Sequence, residues 1–423
     1  MYKKVVFDNG VRVVLEKMPS LRSVAVGVWV NVGTRDEQSG EEGLSHFLEH
    51  MLFKGTRRRT AAKISQEIDS LGGEMNAFTT HESTAFYVKV LDQHVPQAVD
   101  LLTDLFYHSR FDPKEIQKEK NVVLEEIRTV LDDPEDYVQE LHARDVFRRH
   151  PLGRSILGKR KTMVSIKRAD LLRYMEAQYH PEKTVIAVAG NFSVSEMLSS
   201  LQASFGEWTP RQRPAEEARK VRQAPNIYGG TFTHHKRLAQ THLCMGLKGL
   251  PAAHPDRYAM HVLNGILGGG VSSRLFQEVR EKRGLVYTIF SHLSSFSDGG
   301  LLTVYAAMGS KEAQAVVDVV CKEIRRLKKR GVDCQELERT KNQLKGALML
   351  GLEGTYGRMN KLAKDEISQG RYVSLREMLN QIDRVSADHV HSLSHELLDF
   401  DQMAITALGP LPRGTFGNEV ERK

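Results

Sequence analysis

The chain has 423 residues, of which 40% are hydrophobic and 27% charged. That balance excludes an intrinsically disordered chain and, at ~100–200 residues per domain, leaves room for two or three domains. The net charge of +7 (pI near 9.1) is a mild excess dispersed among acids with no nucleic-acid motif, so a nucleic-acid partner is not expected.

At the N-terminus Lys3 and Lys4 are followed by Asp8 and Asn9, which interrupt any apolar targeting core. No run of 18 apolar residues occurs anywhere, so no membrane span is expected. Strands are predicted over 11–15 and 24–32, then helices over 43–53 and 61–71. A strand over 86–90 precedes helices over 94–107, 113–131 and 135–147, and a strand follows over 185–189. Residues 208–225 contain Pro210, Pro214 and Pro225 among charged residues and read as an exposed linker. Beyond it come strands over 241–247 and 301–306, helices over 310–329, 335–351 and 386–399, and a strand over 404–408. Cys244, Cys321 and Cys334 are odd in number and form no CxxC pair. They argue against a disulfide framework or a cysteine zinc site, and the chain reads as a reduced, cytoplasmic protein.

Strand and helix runs are partly segregated, which predicts an α+β fold. The two halves also resemble one another. Residues 64–68 (ISQEI) match 275–279 (LFQEV) at an offset of 211, and 76–81 then overlie 287–292. Residues 187–190 (AVAG) match 406–409 (TALG) at an offset of 219. The expectation is an internal duplication: two homologous α+β domains, 1–208 and 226–423, joined by a linker over 209–225.

The sharpest chemical feature is His46-Phe47-Leu48-Glu49-His50. Leu44, Phe47, Leu48, Met51 and Leu52 have helical spacing, so His46 and His50 project from one face a turn apart and can share one Zn²⁺. Glu49 lies near that face, within reach of a metal-activated water; the order HxxEH is the inverzincin signature. A catalytic zinc needs a third protein ligand. The predicted helix over 113–131 offers Glu119, Glu125 and Glu126. Glu119 and Glu126 are two turns apart on one face, whereas Glu125 is turned away by about 100°. Glu126 is the candidate ligand and Glu119 a candidate partner that orients an imidazole. His391 and His395 repeat the spacing, but Ser394 stands where a base should be, and this helix reads as a solvated face. His234-His235 and Arg57-Arg58-Arg59 read as exposed polar runs, and Gly268-Gly269-Gly270 as a mobile turn.

These residues resemble the pitrilysin/insulinase zinc peptidases, in the branch of the mitochondrial processing peptidase. The likeness covers nearly the whole chain and is most specific over residues 43–56, GLSHFLEHMLFKGT. It implies a zinc metalloendopeptidase acting on unfolded peptides inside a chamber enclosed by repeated α+β domains. The family's third ligand stands 76 positions after the second histidine, which is Glu126, and its supporting glutamate falls on Glu119. Asn76, Ala77 and Phe78 match the edge strand that pairs with substrate backbone. Arg280 and Tyr287 match an arginine–tyrosine pair contributed to the site by the second homologous domain.

In the second half, Arg257, Met260 and His261 stand in place of His46, Glu49 and His50, and Glu338 and Lys345 in place of Glu119 and Glu126. One Zn²⁺ per chain is therefore expected. The processing-peptidase branch reads arginine near the scissile bond through two acidic residues, which here are Asp136 and Glu140. The same residues also suit an ordinary acidic helix start. Single-chain relatives are about twice this length, so the resemblance implies a homodimer whose active site is completed across chains. The rival reading is a non-catalytic scaffold or partner subunit of the same fold.

Overall fold

The computed structural model describes residues 1–209, 222–412 and 414–416; residues 210–221 of the expected linker lie outside them. The described strands are β1 (Tyr2–Val6), β2 (Arg12–Lys17), β3 (Ser23–Val30), β4 (Glu74–Thr79), β5 (Thr84–Leu91), β6 (Thr184–Gly190), β7 (Gly230–His235), β8 (Thr241–Gly249), β9 (Thr288–Ser295), β10 (Gly300–Met308) and β11 (Ala404–Gly409). The α-helices are α1 (Leu44–Leu52), α2 (Ala61–Ser70), α3 (Val95–His108), α4 (Pro113–Asp132), α5 (Pro134–Phe147), α6 (Arg160–Ser165), α7 (Arg168–Gln178), α8 (Val194–Phe205), α9 (Arg257–Leu267), α10 (Ala313–Arg330), α11 (Cys334–Gly351), α12 (Thr355–Gln369), α13 (Leu375–Asp383) and α14 (Ala387–Leu397). None of these helices is long and apolar enough to cross a membrane. Cys244, Cys321 and Cys334 are all free thiols.

The chain forms two compact units, and neither is contiguous. The first comprises residues 1–129, 154–221 and 351–372; the second comprises 130–153, 222–350 and 373–423. Each half of the sequence thus lends a helix to the other unit: α5 belongs to the second and α12 to the first. The contiguous division expected from the sequence does not contain this exchange.

The first unit is built on a six-stranded sheet, β1-β2-β6-β3-β5-β4, in which β2 and β6 are parallel and the other neighbours antiparallel. β3 reads SVAVGVWV, a continuous apolar run, because the strand is buried on both faces. On one face Val26, Val28, Phe86 and Val88 join Phe47, Leu48 and Met51 of α1 and Leu101, Leu102 and Leu105 of α3 in the main core. On the other face Ala25, Trp29, Ala85, Val185 and Ala187 receive Met359, Leu362 and Ala363 of α12. The small residues let that helix lie close: a Cβ at Gly27 would stand 2.4 Å from the Trp29 ring and 3.1 Å from Met359 Sδ.

The second unit repeats the plan with the sheet β7-β11-β8-β10-β9, in which β7 and β11 are parallel. α5 covers it through Val138 and Leu141 against Cys244, Tyr305 and Leu408, and through Phe147 against Phe232 and Ala404. Gly246, 219 positions after Gly27, plays the same part; its Cβ would stand 2.4 Å from His142 Nε2. The expected duplication is therefore visible in sheet order, in strand direction and in the glycine that admits the exchanged helix.

The two polar runs are exposed at Arg57, Arg58 and His235, as expected, but one member of each turns inward. Arg59 is largely buried and reaches Glu67, Asp100 and the fully buried Asp104 at 2.6–2.8 Å, while Thr56 and His108 also bond Asp104. A buried carboxylate is costly unless paired, so this arginine is held inside. His234 likewise turns inward to the buried Asp145, at 2.7 Å. At the Gly268–Gly270 turn a Cβ would meet Ser291 Oγ at 2.6 Å, Gly265 at 2.9 Å and Gln343 at 2.5 Å, so close packing calls for glycine there.

Candidate metal centre

α1 forms because Leu44, Phe47, Leu48, Met51 and Leu52 repeat at three and four residues and bury one face in the core of the first unit. Its N-cap, Gly43, adopts φ 91° and lies so near the chain at Leu157 that a Cβ would come within 2.6 Å of that carbonyl oxygen. The open amides of the first turn are taken by a distant side chain. Glu37 accepts from Gly43 N at 3.0 Å and from Ser45 N at 2.7 Å. Burial pushes the Glu37 carboxyl up to about 8, although these hydrogen bonds and Arg154 work against the rise.

The opposite side of α1 carries His46, Glu49 and His50. The two imidazoles stand edge to face with their Nε2 atoms 3.2 Å apart. α4 brings Glu119 and Glu126 alongside, two turns apart on one face. Glu126 Oε2 lies 3.8 Å from His46 Nε2 and 3.6 Å from His50 Nε2. Glu119 Oε1 bonds His50 Nδ1 at 2.8 Å, and Glu119 Oε2 pairs with Lys54 Nζ at 2.7 Å. Glu125 points outward and pairs with Arg128.

Charge in this cluster follows contact. Burial, with His50 beside it, lowers His46 to about 4. Burial also opposes charge on His50, but Glu119, Glu126 and Glu49 together raise its pKa. Burial raises Glu49, partly offset by a hydrogen bond from Thr79. Glu119 is lowered: the bonds from His50 and Lys54 outweigh its burial.

The donor set fits a zinc ion. Three ligand atoms, two imidazole nitrogens and one carboxylate oxygen, lie within 4.8 Å of one another, the only such group among the described residues. Bonds of about 2.0–2.1 Å in a tetrahedral site put ligand atoms about 3.3 Å apart, close to the 3.2–3.8 Å found here. Glu126 Oε2 is buried with no hydrogen-bond donor, an expensive state that a cation relieves. Glu119 at Nδ1 of His50 favours the tautomer whose Nε2 lone pair faces the other two ligands.

The substrate residues expected from the sequence fall in both units. In the first, β4 is the sheet edge: Asn76, Ala77, Phe78 and Thr79 pair with Tyr87, Phe86, Ala85 and Thr84 of β5, and the other edge of β4 has no strand partner among the described residues. Asp136, Glu140, Arg280 and Tyr287 all belong to the second unit. Asp136 lies in the first turn of α5, where Asp133 caps the amides of Glu135 and Asp136. Arg280 sits in a π-helical turn over Phe276–Glu281, its guanidinium 4.9 Å from the centre of the Phe276 ring. Tyr287 is largely exposed and donates its backbone amide to Ala307 O.

The second half places Arg257 and His261 on α9; on α11, Lys345 pairs with Asp383. His391 and His395 keep the spacing of the metal pair, with Nε2 atoms 3.2 Å apart. Both point at the Lys328 carbonyl oxygen, at 2.6 and 2.7 Å, and so cap α10, while His395 and Glu396 stay exposed on the solvated face expected of this helix. The sequence reading missed Glu37, Lys54 and Thr79. For Thr79 a signal existed, since it stands two residues after Ala77 and so on the same face of β4.

Comparison with known proteins shows the family. A family model described as insulinase (peptidase family M16) matches residues 12–160, and one described as the peptidase M16 inactive domain matches 165–344. The uncharacterized zinc protease YmxG of Bacillus subtilis is 41% identical over 414 residues, covering 97% of this chain and all of that protein. The uncharacterized zinc protease ML0855 of Mycobacterium leprae is 40% identical over 409 residues, covering 96% and 91%. Among solved structures, a protease from Helicobacter pylori superposes with a TM-score of 0.89 over 97% of this chain and 99% of that one. At 22% identity that likeness shows the fold alone.

Proposed function

The chain belongs to the insulinase peptidases, family M16, and from that premise we propose that it is a zinc metalloendopeptidase cleaving unfolded peptides or short polypeptides. The observation that carries this reading is the convergence of His46 Nε2, His50 Nε2 and Glu126 Oε2 beside the carboxylate of Glu49. His46, His50 and Glu126 would hold one Zn²⁺, which when bound supplies Lewis-acid polarisation of the scissile carbonyl and acidifies water.

The remaining work falls to the chain's own groups. Glu49 takes a proton from the attacking water and returns it to the departing amine. Glu119 keeps the Nδ1 proton on His50 and is itself neutralised by Lys54. The open edge of β4, with Asn76, Ala77 and Phe78, binds an extended peptide through its backbone, which gives affinity with little side-chain selectivity. Tyr287 donates to the developing oxyanion and Arg280 holds a substrate carbonyl. Asp136 and Glu140 read an arginine of the substrate. In this reading the working form is a cytoplasmic homodimer in which each protomer supplies Arg280 and Tyr287 to its partner's metal centre.

The test is metal analysis of the purified protein together with digestion of a peptide library read by mass spectrometry, with and without chelator. About one zinc per chain and chelator-sensitive cleavage support the reading. Metal-free protein, or no cleavage with zinc bound, supports the non-catalytic scaffold instead.

A further inference from the structure

We propose that Thr79 is a positioning residue for Glu49: its hydroxyl fixes the carboxylate in the orientation that proton transfer needs, and it ties the base to the strand on which substrate lies. This rests on the functional reading above and deepens it.

Thr79 Oγ1 donates to Glu49 Oε2 at 2.5 Å. Among the described residues no other group hydrogen-bonds that carboxylate, so Oε1 is left to handle the proton. A glutamate on a helix has three rotatable side-chain bonds, and ordering them costs free energy unless a partner holds the end. The partner here is itself held. Along β4 the side chains alternate: Met75 and Ala77 pack into the core that contains α1, whereas Phe78 packs into the cluster on the opposite face of the sheet. Thr79 follows Ala77 by two residues and so faces α1.

The chain after Thr79 is pinned on both sides. Thr80 and Ser83 close the turn with Thr80 N to Ser83 O at 2.8 Å and Ser83 N to Thr80 Oγ1 at 3.0 Å. Thr34 N and Arg35 N bond the carbonyls of Thr80 and His81 at 3.2 and 2.8 Å. Gly33 allows this approach, since a Cβ there would stand 2.3 Å from Thr80 O. The hydroxyl is therefore set by a rigid hairpin end, and that end continues the edge strand proposed to pair with substrate. A peptide in register on β4 is in register with the base.

Thr79→Val keeps the shape and removes the hydroxyl; Thr79→Ser keeps the hydroxyl. Each is measured as the zinc-loaded full-length protein with a fluorogenic peptide, alone and in a Glu49→Gln background. Zinc content and binding of an uncleaved peptide to the Glu49→Gln proteins serve as readouts independent of turnover. Thr79→Val is expected to lower kcat roughly 10–100-fold, as a small misplacement of a catalytic group does, with KM within about twofold. Zinc content and peptide affinity stay unchanged, and Thr79→Ser retains most of kcat. In the Glu49→Gln background Thr79→Val lowers the residual rate by less than about twofold, because it acts through a group already removed.

Wild-type kcat in Thr79→Val overturns the inference, as does a serine variant as impaired as the valine one, or an equal loss with and without Glu49. Should Thr79→Val lose zinc or fold, Thr79→Ala is judged by the same outcomes. Full activity in Glu49→Gln alone overturns the functional reading itself and the inference with it, so the two failures are distinguishable.

Discussion

Glu119 Oε1 and His50 Nδ1 stand 2.8 Å apart, on the opposite edge of the imidazole from the nitrogen that faces His46 and Glu126. This bond orders a ring that would hold the ion, while the glutamate itself would stay out of contact with it. Removing its charge should weaken zinc binding by about 10–100-fold. Competition with a chelator of known affinity, run on Glu119→Gln and wild type, measures it. Equal affinities would assign Glu119 to the ion pair with Lys54 alone.

Glu37 offers a pH-dependent test of the α1 N-terminus. Burial raises its carboxyl from the ordinary 4.5 to about 8, so folding favours the protonated acid. That contribution is complete below about pH 4.5 and fades as pH rises through about 8. Glu37→Gln cannot titrate, and its amide can accept at only one atom from the two amides of Gly43 and Ser45. The variant should be less stable than wild type by about 1 kcal/mol at pH 5, and by pH 9 the gap should close and reverse, because each unit of the rise is worth about 1.4 kcal/mol. Urea unfolding at both pH values checks the sign; a gap that widens with pH would contradict the assignment.

How legible this site was depended on sequence distance. His46, Glu49 and His50 declare themselves because one helical turn relates them, and Glu119 and Glu126 because two turns do. The buried strands β3, β6, β8, β10 and β11 stand out as apolar runs. Edge strands β1 and β9 do not, since half their residues face away from the core. β4 was placed only by family resemblance for the same reason. α12, with lysines and acids around a narrow stripe of Met359, Leu362 and Ala363, shows no partner in its own half because its partner sheet is in the other. The exchange of α5 and α12, like the bond between Thr79 and Glu49, is made by tertiary packing alone. Arg59 read as a surface cation because the three carboxylates that bury it are eight to 45 residues away.

Asp136 and Glu140 lie one turn apart on α5, and as a pair they should favour substrates carrying arginine. Changing both to Asn and Gln should shift the preference for Arg-containing over Arg-free peptides by more than tenfold, since a charge-assisted bond is worth about 1.5–3 kcal/mol. Competitive cleavage of matched peptides reads the ratio. An equal loss on both would instead fit the acidic first turn as a helix-stabilising feature.

The homodimer proposal is tested by complementation. A Glu49→Gln chain is mixed with an Arg280→Ala/Tyr287→Phe chain, each nearly inactive alone. If the arginine–tyrosine pair serves the partner's metal centre, half the mixed dimers' sites are free of defects, and roughly a quarter of wild-type activity returns at equal mixing. No recovery, with mixed dimers verified by two different tags, would exclude the cross-chain arrangement.

The most direct measurement of the central claim pairs zinc content with peptidase rate in Glu49→Gln, His50→Ala and Glu126→Gln. Ligands and base are different side chains of one cluster, so the two readouts must separate. Glu49→Gln is predicted to keep about one zinc per chain and to lose roughly 10²–10⁴-fold in rate, while His50→Ala and Glu126→Gln lose the zinc itself. Full activity in Glu49→Gln, or unchanged zinc in both ligand variants, would contradict the account.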